Sequence, residues 1–274
     1  MYIGIDIGGT HIRVATGLKG EIEKKIDFPT AEFHTSLQNI KEAVQTLSSN
    51  IQIEKIGVGV PGPLDIRTGK LTHISHLVGW DNIEIADIFT KLLKLPVLIG
   101  HDASVAALGE FHYGAGRNKN PMLYITVSTG IGVGLIVDGK MYRGLYNPEA
   151  GHQILGIAGN KCICGQEADL ETYASGAGIE RRTGEKPVET ERTKIWAEAM
   201  EWLGIGVANL ILHYAPEIIV IGGGMTKHKD LFFPPIVASL KKHLRQLPIS
   251  PLVPAALGQD AGIIGALTLA EVGG

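Results

Sequence analysis

The sequence opens on MYIGIDIGGTHIRVATGL (Met1–Leu18), and the reading of this stretch decides the fold. Tyr2–Ile7 is almost continuously apolar and β-branched, the pattern of a strand buried on both faces. Gly8 and Gly9 allow backbone angles and close approaches that a Cβ forbids, and the alternation from Ile12 to Ala15 starts a second strand. Asp6 falls at the end of the first strand and Thr10 at the tip of the turn. Small residues, free amides, a hydroxyl and a carboxylate at one hairpin tip suit a polyphosphate with its metal. They suit equally a tight hairpin whose Asp and Thr satisfy only local backbone groups.

Outward from the hairpin, Gly20–Phe28 reads as a third strand. Ser36–Leu47 reads as a helix, with Leu37, Ile40, Val44 and Leu47 on one face. A strand, Ile53–Val60, runs into VPGPLD, where Pro61 and Pro63 forbid a helix. A helical pattern at Ile83–Leu93, a short strand at Pro96–Gly100 and a helix at Asp102–Tyr113 complete the first half. The polar run Gly116–Pro121 marks a boundary, which predicts α/β domains at 1–117 and 118–259. A C-terminal helix at about 260–274 is expected to pack back on the first domain.

The second half repeats the first. MLYITVSTGIGVGLIVDGK (Met122–Lys140) matches the opening hairpin, APEIIVIGGGM (Ala215–Met225) matches IEKIGVGVPGP, and GQDAGIIGALTLAE (Gly258–Glu271) echoes GHDASVAALGE (Gly100–Glu110), each read as strand end, Asp-Ala and helix. Three matched signals in one order imply duplicated α/β domains facing each other across a cleft. The second copy carries two insertions, Asn147–Glu171 and the charged Thr183–Thr193, before a helix at Ile195–His213.

The 274 residues are 45% hydrophobic and 19% charged, with a formal charge of −3, which argues against a charge-driven nucleic-acid or membrane-surface binder. The chain enters a strand at once, without a basic leader, and no continuous apolar run approaches ~20 residues. The only cysteines, Cys162 and Cys164, fit a reducing cytoplasm. GVGVPG (Gly57–Gly62) has the dinucleotide spacing, but its prolines stand where the phosphate-binding helix must open. No G-x-x-x-x-G-K-[ST] loop is present.

These features converge on a nucleotide held between two tips, DIGGT (Asp6–Thr10) and STGIG (Ser128–Gly132). Asp102 reads both as an N-cap of the following helix and as a general base that takes a proton from an attacking hydroxyl. Asp260, its counterpart in the repeat, reads as a cap only. His152, Cys162, Cys164 and Asp169 have the ligand chemistry of a tetrahedral zinc site, although two free buried cysteines are the plainer alternative. Glu149 and Glu171 read either as acceptors for sugar hydroxyls or as solvated surface.

Taken together, DIGGT, GVPGPLD (Gly59–Asp65), the Asp102–Ala103 pair, STGIGVGLIVDGKMYRG (Ser128–Gly144), EAGH (Glu149–His152), CICG (Cys162–Gly165), LETYASG (Leu170–Gly176) and IVIGGGM (Ile219–Met225) resemble the ROK family of bacterial sugar kinases and sugar-responsive repressors. The resemblance runs through nearly the whole chain. It implies the actin-like ATPase (ribonuclease H-like) fold, Mg-ATP as donor and a hexose as acceptor. By the same resemblance Asp102 is the catalytic base, and Glu149, His152 and Glu171 contact the sugar. Gly8, Gly9, Thr10, Thr129 and Gly130 form the phosphate turns, with Asp6 near Mg²⁺, and Gly223 and Gly224 lie on the adenosine side. His152 is also a zinc ligand.

Two departures stand out. His101 occupies the place of a sugar-contacting Asn, and Ala168 and Asp169 replace the last Gly and Cys of the zinc motif. The resemblance thus implies an ATP-dependent, glucose-like C6 kinase, assembled as a homodimer, with Zn²⁺ bracing the insertion. An N-acetylmannosamine or N-acetylglucosamine kinase is the alternative. A sugar-sensing regulator is a weaker reading, because the hairpin starts at Met1 with no DNA-binding module ahead of it.

Overall fold

The computed structural model describes residues 1–65, 67–72 and 77–273. Strands β1 (Tyr2–Ile7), β2 (His11–Leu18) and β3 (Glu21–Pro29) lead into helix α1 (Phe33–Ser48) and strand β4 (Lys55–Val60). Three two-residue strands follow, β5 (Leu64–Asp65), β6 (Lys70–Leu71) and β7 (Ile83–Glu84), then α2 (Ile85–Leu93), β8 (Val97–His101) and α3 (Asp102–Tyr113). The second half starts with β9 (Met122–Val127), β10 (Ile131–Val137) and β11 (Lys140–Met141). It continues through α4 (Leu170–Ala174), α5 (Gly176–Thr183), α6 (Pro187–Thr190), α7 (Lys194–Tyr214) and β12 (Ile218–Gly222). It ends with α8 (Lys229–His243), β13 (Leu252–Pro254) and α9 (Ala261–Val272). Gly274, the last residue of the expected C-terminal helix, lies outside the described residues.

The duplication is visible in the topology. The two large sheets have the orders β3-β2-β1-β4-β8 and β11-β10-β9-β12-β13. In both, the first three strands are antiparallel neighbours and the last two run parallel to the central strand. Period-two alternation sends Ile3, Ile5 and Ile7 of β1 into a core shared with Ile40, Val44 and Leu47 of α1. The opposite face is built for a helix at close range: a Cβ on Gly57 would run into the Ala266 carbonyl of α9.

That helix comes from the other half. α9 follows the second sheet but lies against β1 and β4, while α3 follows the first sheet and lies against β9 and β10. The two helices cross at Gly109 and Gly265, where a Cβ on Gly109 would stand 2.9 Å from the Gly265 nitrogen. Behind the crossing, the fully buried Glu110 carboxylate accepts N–H bonds from Ala115 (2.8 Å), Ala256 (3.2 Å) and Leu257 (2.8 Å). A buried carboxyl group needs such pairing, and it ties the end of α3 to the approach to α9.

Several boundaries differ from the sequence reading, each for a local reason. α1 begins three residues earlier because the Glu32 carboxylate caps it, accepting from His34 N (3.0 Å) and Thr35 N (2.6 Å). Ile83 and Glu84 pair with β6, so α2 starts only at Ile85. Gly258 is no strand end: β13 stops at Pro254, and Gly258–Asp260 is a single 3-10 turn. α7 is the one helix among the described residues long and apolar enough to cross a bilayer. Its buried side chains join the core of the second sheet, and it packs on α4 and α8.

Candidate active site

One cavity of about 640 Å³ lies between the halves. Its wall holds Asp6 and Thr10 from the first hairpin, Ser128 and Thr129 from the second, Asp102 and Ala103 from the start of α3, and Gly223 and Gly224 after β12. Both hairpin tips thus face one space. Gly8 and Gly9 form the turn before Thr10, and neither takes a positive φ. At Gly8 a Cβ would stand 3.1 Å from the His11 carbonyl oxygen. Gly223 does need its freedom: its φ is +97°, and a Cβ there would collide with the main chain of Val127.

Asp102 is not the cap of α3. His101 holds the N-cap position and Asp102 is the first helical residue, its Oδ1 accepting from Ala103 N at 2.6 Å. The carboxylate is 39% exposed, open to the cleft. His101 Nε2 lies 3.2 Å from the same Oδ1 and 4.0 Å from Glu149 Oε1. Asp260 makes no side-chain capping bond either; its Oδ1 pairs with Lys25 Nζ at 2.6 Å.

Asp6 is 9% exposed, and its Oδ2 accepts from Arg13 Nη1 at 3.0 Å. Arg13 stands opposite Asp6 in the β1–β2 register and also reaches Asp27 (3.3 Å). Burial pushes the Asp6 carboxyl up to about 6, against the pull of Arg13 and with a further push from the Asp102 charge.

Neither Glu149 nor Glu171 is solvated surface. Glu171 is buried, and its Oε2 accepts from Ile131 N at 2.9 Å. Gly130 backs onto it: a Cβ on Gly130 would stand 2.6 Å from that oxygen. Glu149 Oε1 accepts from Asn147 Nδ2 (2.7 Å), while Asn147 Oδ1 accepts from Leu64 N (3.2 Å). A Cβ on Gly62 would stand 2.6 Å from Glu149 Oε1 and 3.2 Å from His101 Nε2, so the Pro/Gly turn after β4 presses on both.

The insertion brings His152, Cys162, Cys164 and Asp169 together, with one ligand atom of each within 4.8 Å of all the others. His152 is held by Asp169 Oδ2 (2.9 Å) and Cys162 Sγ (3.6 Å), not by the backbone of the Gly-rich loop. Cys164 Sγ lies 3.7 Å from Asp169 Oδ2. Metal bonds of about 2.0–2.3 Å in a tetrahedron separate ligand atoms by roughly 3.3–3.8 Å, so the donor set fits zinc once the His–Asp pair opens and the widest-spaced ligands, up to 4.8 Å apart, draw in. Asp169 divides its oxygens: Oδ1 caps α4 by accepting from Thr172 N (2.9 Å), and Oδ2 faces the cluster. The Asp169 hydrogen bond holds His152 above its usual value. For Asp169, burial pushes upward but is outweighed by bonds from His152, Cys162 and Thr172 N, which leave it below the carboxylate range.

Sequence reading missed Arg13, Asn147, Thr126, Lys227 and Lys229. The last three line the cavity with Arg13, and the signal for Arg13 was its cross-strand register with Asp6. A second cavity of about 510 Å³ shares Ser128, Thr129, Gly224 and Lys227 with the first and is walled by Pro187, Val188, Trp196 and Met225.

The ROK family profile matches residues 2–272. A glucokinase of Halalkalibacterium halodurans is 32% identical, over 96% of this chain and 93% of that protein. A ROK hexokinase from Thermus thermophilus superposes with a TM-score of 0.90 at 30% identity, covering 99% of this chain and 98% of that one. A ROK family glucokinase from Streptomyces griseus, solved with glucose and AMPPNP, gives a TM-score of 0.85 at 27% identity, covering 98% of this chain and 99% of that one. The paired sheets and exchanged helices are those of the actin-like ATPase fold, and the chain belongs to the ROK family.

Proposed function

We propose that the cleft transfers the γ-phosphoryl group of ATP to the primary C6 hydroxyl of a glucose-like hexose, with Asp102 as general base. The chain is a sugar kinase of its family. The observation that carries the reading is the single cavity in which both hairpin tips and Asp102 meet.

In this reading the amides and hydroxyls of Thr10, Ser128 and Thr129 hold the phosphates, assisted by Lys227 and Lys229. The second cavity, with Trp196, Val188 and Met225, suits the purine base. Asp6 would hold Mg²⁺, directly or through a water, and the ion would neutralise charge on the phosphate oxygens. Glu149, Glu171 and the outer ring nitrogen of His152 receive and orient the sugar hydroxyls. Asp102 accepts the hydroxyl proton as that oxygen attacks phosphorus, and ADP leaves. Positioning and electrostatics supply most of the rate, and closure of the halves excludes water.

Zinc at His152, Cys162, Cys164 and Asp169 would brace the segment that carries Glu149 and Glu171; it takes no part in the transfer. Neither cysteine forms a disulfide, which supports a cytoplasmic setting. Exposed Leu145, Tyr146, Ile154 and Ile157 support a homodimer, measurable by light scattering.

A coupled ADP-release assay with Mg-ATP over a panel of hexoses and N-acetylated amino sugars tests the reading. Highest kcat/KM with a glucose-like hexose supports it. Highest kcat/KM with N-acetylmannosamine or N-acetylglucosamine moves the assignment to the alternative, and no turnover with any sugar removes it.

A further inference from the structure

We propose that His101 is a positioning residue for Asp102, holding one carboxylate oxygen so that the other receives the proton; this rests on Asp102 being the base. Two nitrogens lie close to Oδ1 of Asp102. The Ala103 N–H is bonded to it at 2.6 Å, and His101 Nε2 stands 3.2 Å away. Catalytic contacts of this kind are often loosely aligned in the free enzyme and tighten with substrate bound. With Oδ1 engaged, Oδ2 is the oxygen left to meet the acceptor hydroxyl.

The rest of the ring explains how His101 is kept in this role. The side chain is 6% exposed, and Nδ1 is buried without a protein partner. Ser104 Oγ, one turn along α3, is likewise buried and unpartnered. His101 and Ser104 line the same cavity of about 10 Å³. That volume accommodates about one water. A neutral imidazole has one donor and one acceptor. Its Nε2 faces two carboxylates, Asp102 and Glu149, so Nε2 carries the proton and Nδ1 accepts. The Ser104 hydroxyl, through a single water in that cavity, supplies the donor to Nδ1. The wall behind the ring therefore fixes the tautomer that faces the base.

His101→Phe, His101→Gln and Ser104→Ala test this, with ATP affinity by calorimetry as the check on folding. His101→Phe is expected to lower kcat roughly 10- to 100-fold, the cost of a misplaced reacting group. The sugar KM should stay close to wild type, and the factor should be the same for every sugar accepted. Gln, whose amide can reach Asp102, should restore most of the rate, and Ser104→Ala should lose several-fold in kcat alone. Unchanged kcat in His101→Phe, or a loss expressed in sugar KM that differs among epimers, overturns the proposal. If His101→Phe does not fold, Ser104→Ala decides, and an unchanged kcat there also overturns it. Asp102→Asn separates the two failures. An active Asp102→Asn removes the base itself, whereas an inactive Asp102→Asn beside a fully active His101→Phe removes only the positioning role.

Discussion

The Asp6 carboxylate lies directly against Gly262 of α9: a Cβ on that glycine would stand 2.7 Å from Cγ and from both oxygens. A helix from the end of the chain thus sets the position of a carboxylate near its beginning, and Gly262 is glycine because Asp6 occupies the space.

Gly262→Ala should therefore displace Asp6 while leaving the α3–α9 crossing in place. The expected result is a higher Mg²⁺ requirement and a fall in kcat of roughly tenfold or more, with secondary structure by circular dichroism unchanged. Normal Mg²⁺ dependence in the variant would show that the Asp6 position is not critical.

Asp6 itself predicts a pH dependence of stability in the metal-free protein. Its folded value of about 6 lies above its ordinary 3.8, so the fold favours the protonated form. The stability it contributes is complete below about 3.8 and is lost as pH rises toward about 6. Asp6→Asn removes this loss, and Arg13 keeps Asp27 as partner. The Tm of the variant minus that of wild type should grow between those two pH values and level off above them. A difference independent of pH contradicts the buried-charge account.

The His152–Cys162–Cys164–Asp169 cluster separates cap from proposed zinc ligand. Asp169→Asn keeps an oxygen for Thr172 N but weakens metal binding, whereas Asp169→Ala loses both and should cost about 1 kcal/mol more in stability. Wild-type protein purified without added metal should carry about one zinc per chain by elemental analysis. Well under half an equivalent, with full activity after chelation, contradicts the zinc assignment and leaves the sugar contacts untouched.

The hairpin tip tests the phosphate site. Gly9→Val should abolish ATP binding by calorimetry with little change in Tm, because a branched side chain would occupy the approach of the phosphates at an exposed turn. Unchanged ATP affinity would move the phosphates elsewhere.

What was legible in the sequence was what local pattern dictates. β1, β9 and β12 announce themselves as apolar, β-branched runs into glycine turns, and Asp102–Tyr113 was bounded by its own composition. What was not legible depended on partners far along the chain. Asn147 matters because it joins Leu64 to Glu149, and no local pattern marks a bridging amide. α8 carries Pro234 and Pro235 within its first turns, where a sequence reading stops a helix. Asp102 and Asp260 look alike in sequence, yet one opens onto the cleft and the other pairs with Lys25. The difference arises because Lys25 sits on a strand of the other half.

Asp102→Asn tests the central claim most directly. The amide oxygen can still accept from Ala103 N, and the lost charge in the first turn of α3 costs about 0.3–1 kcal/mol. The protein should therefore fold and bind ATP and sugar with near-normal affinity. Its sugar-dependent ADP release, measured at saturating Mg-ATP, should fall about 10²–10⁴-fold, because an amide does not take the hydroxyl proton. The Asp260→Asn control should turn over normally. A folded Asp102→Asn enzyme with near wild-type kcat would contradict the account.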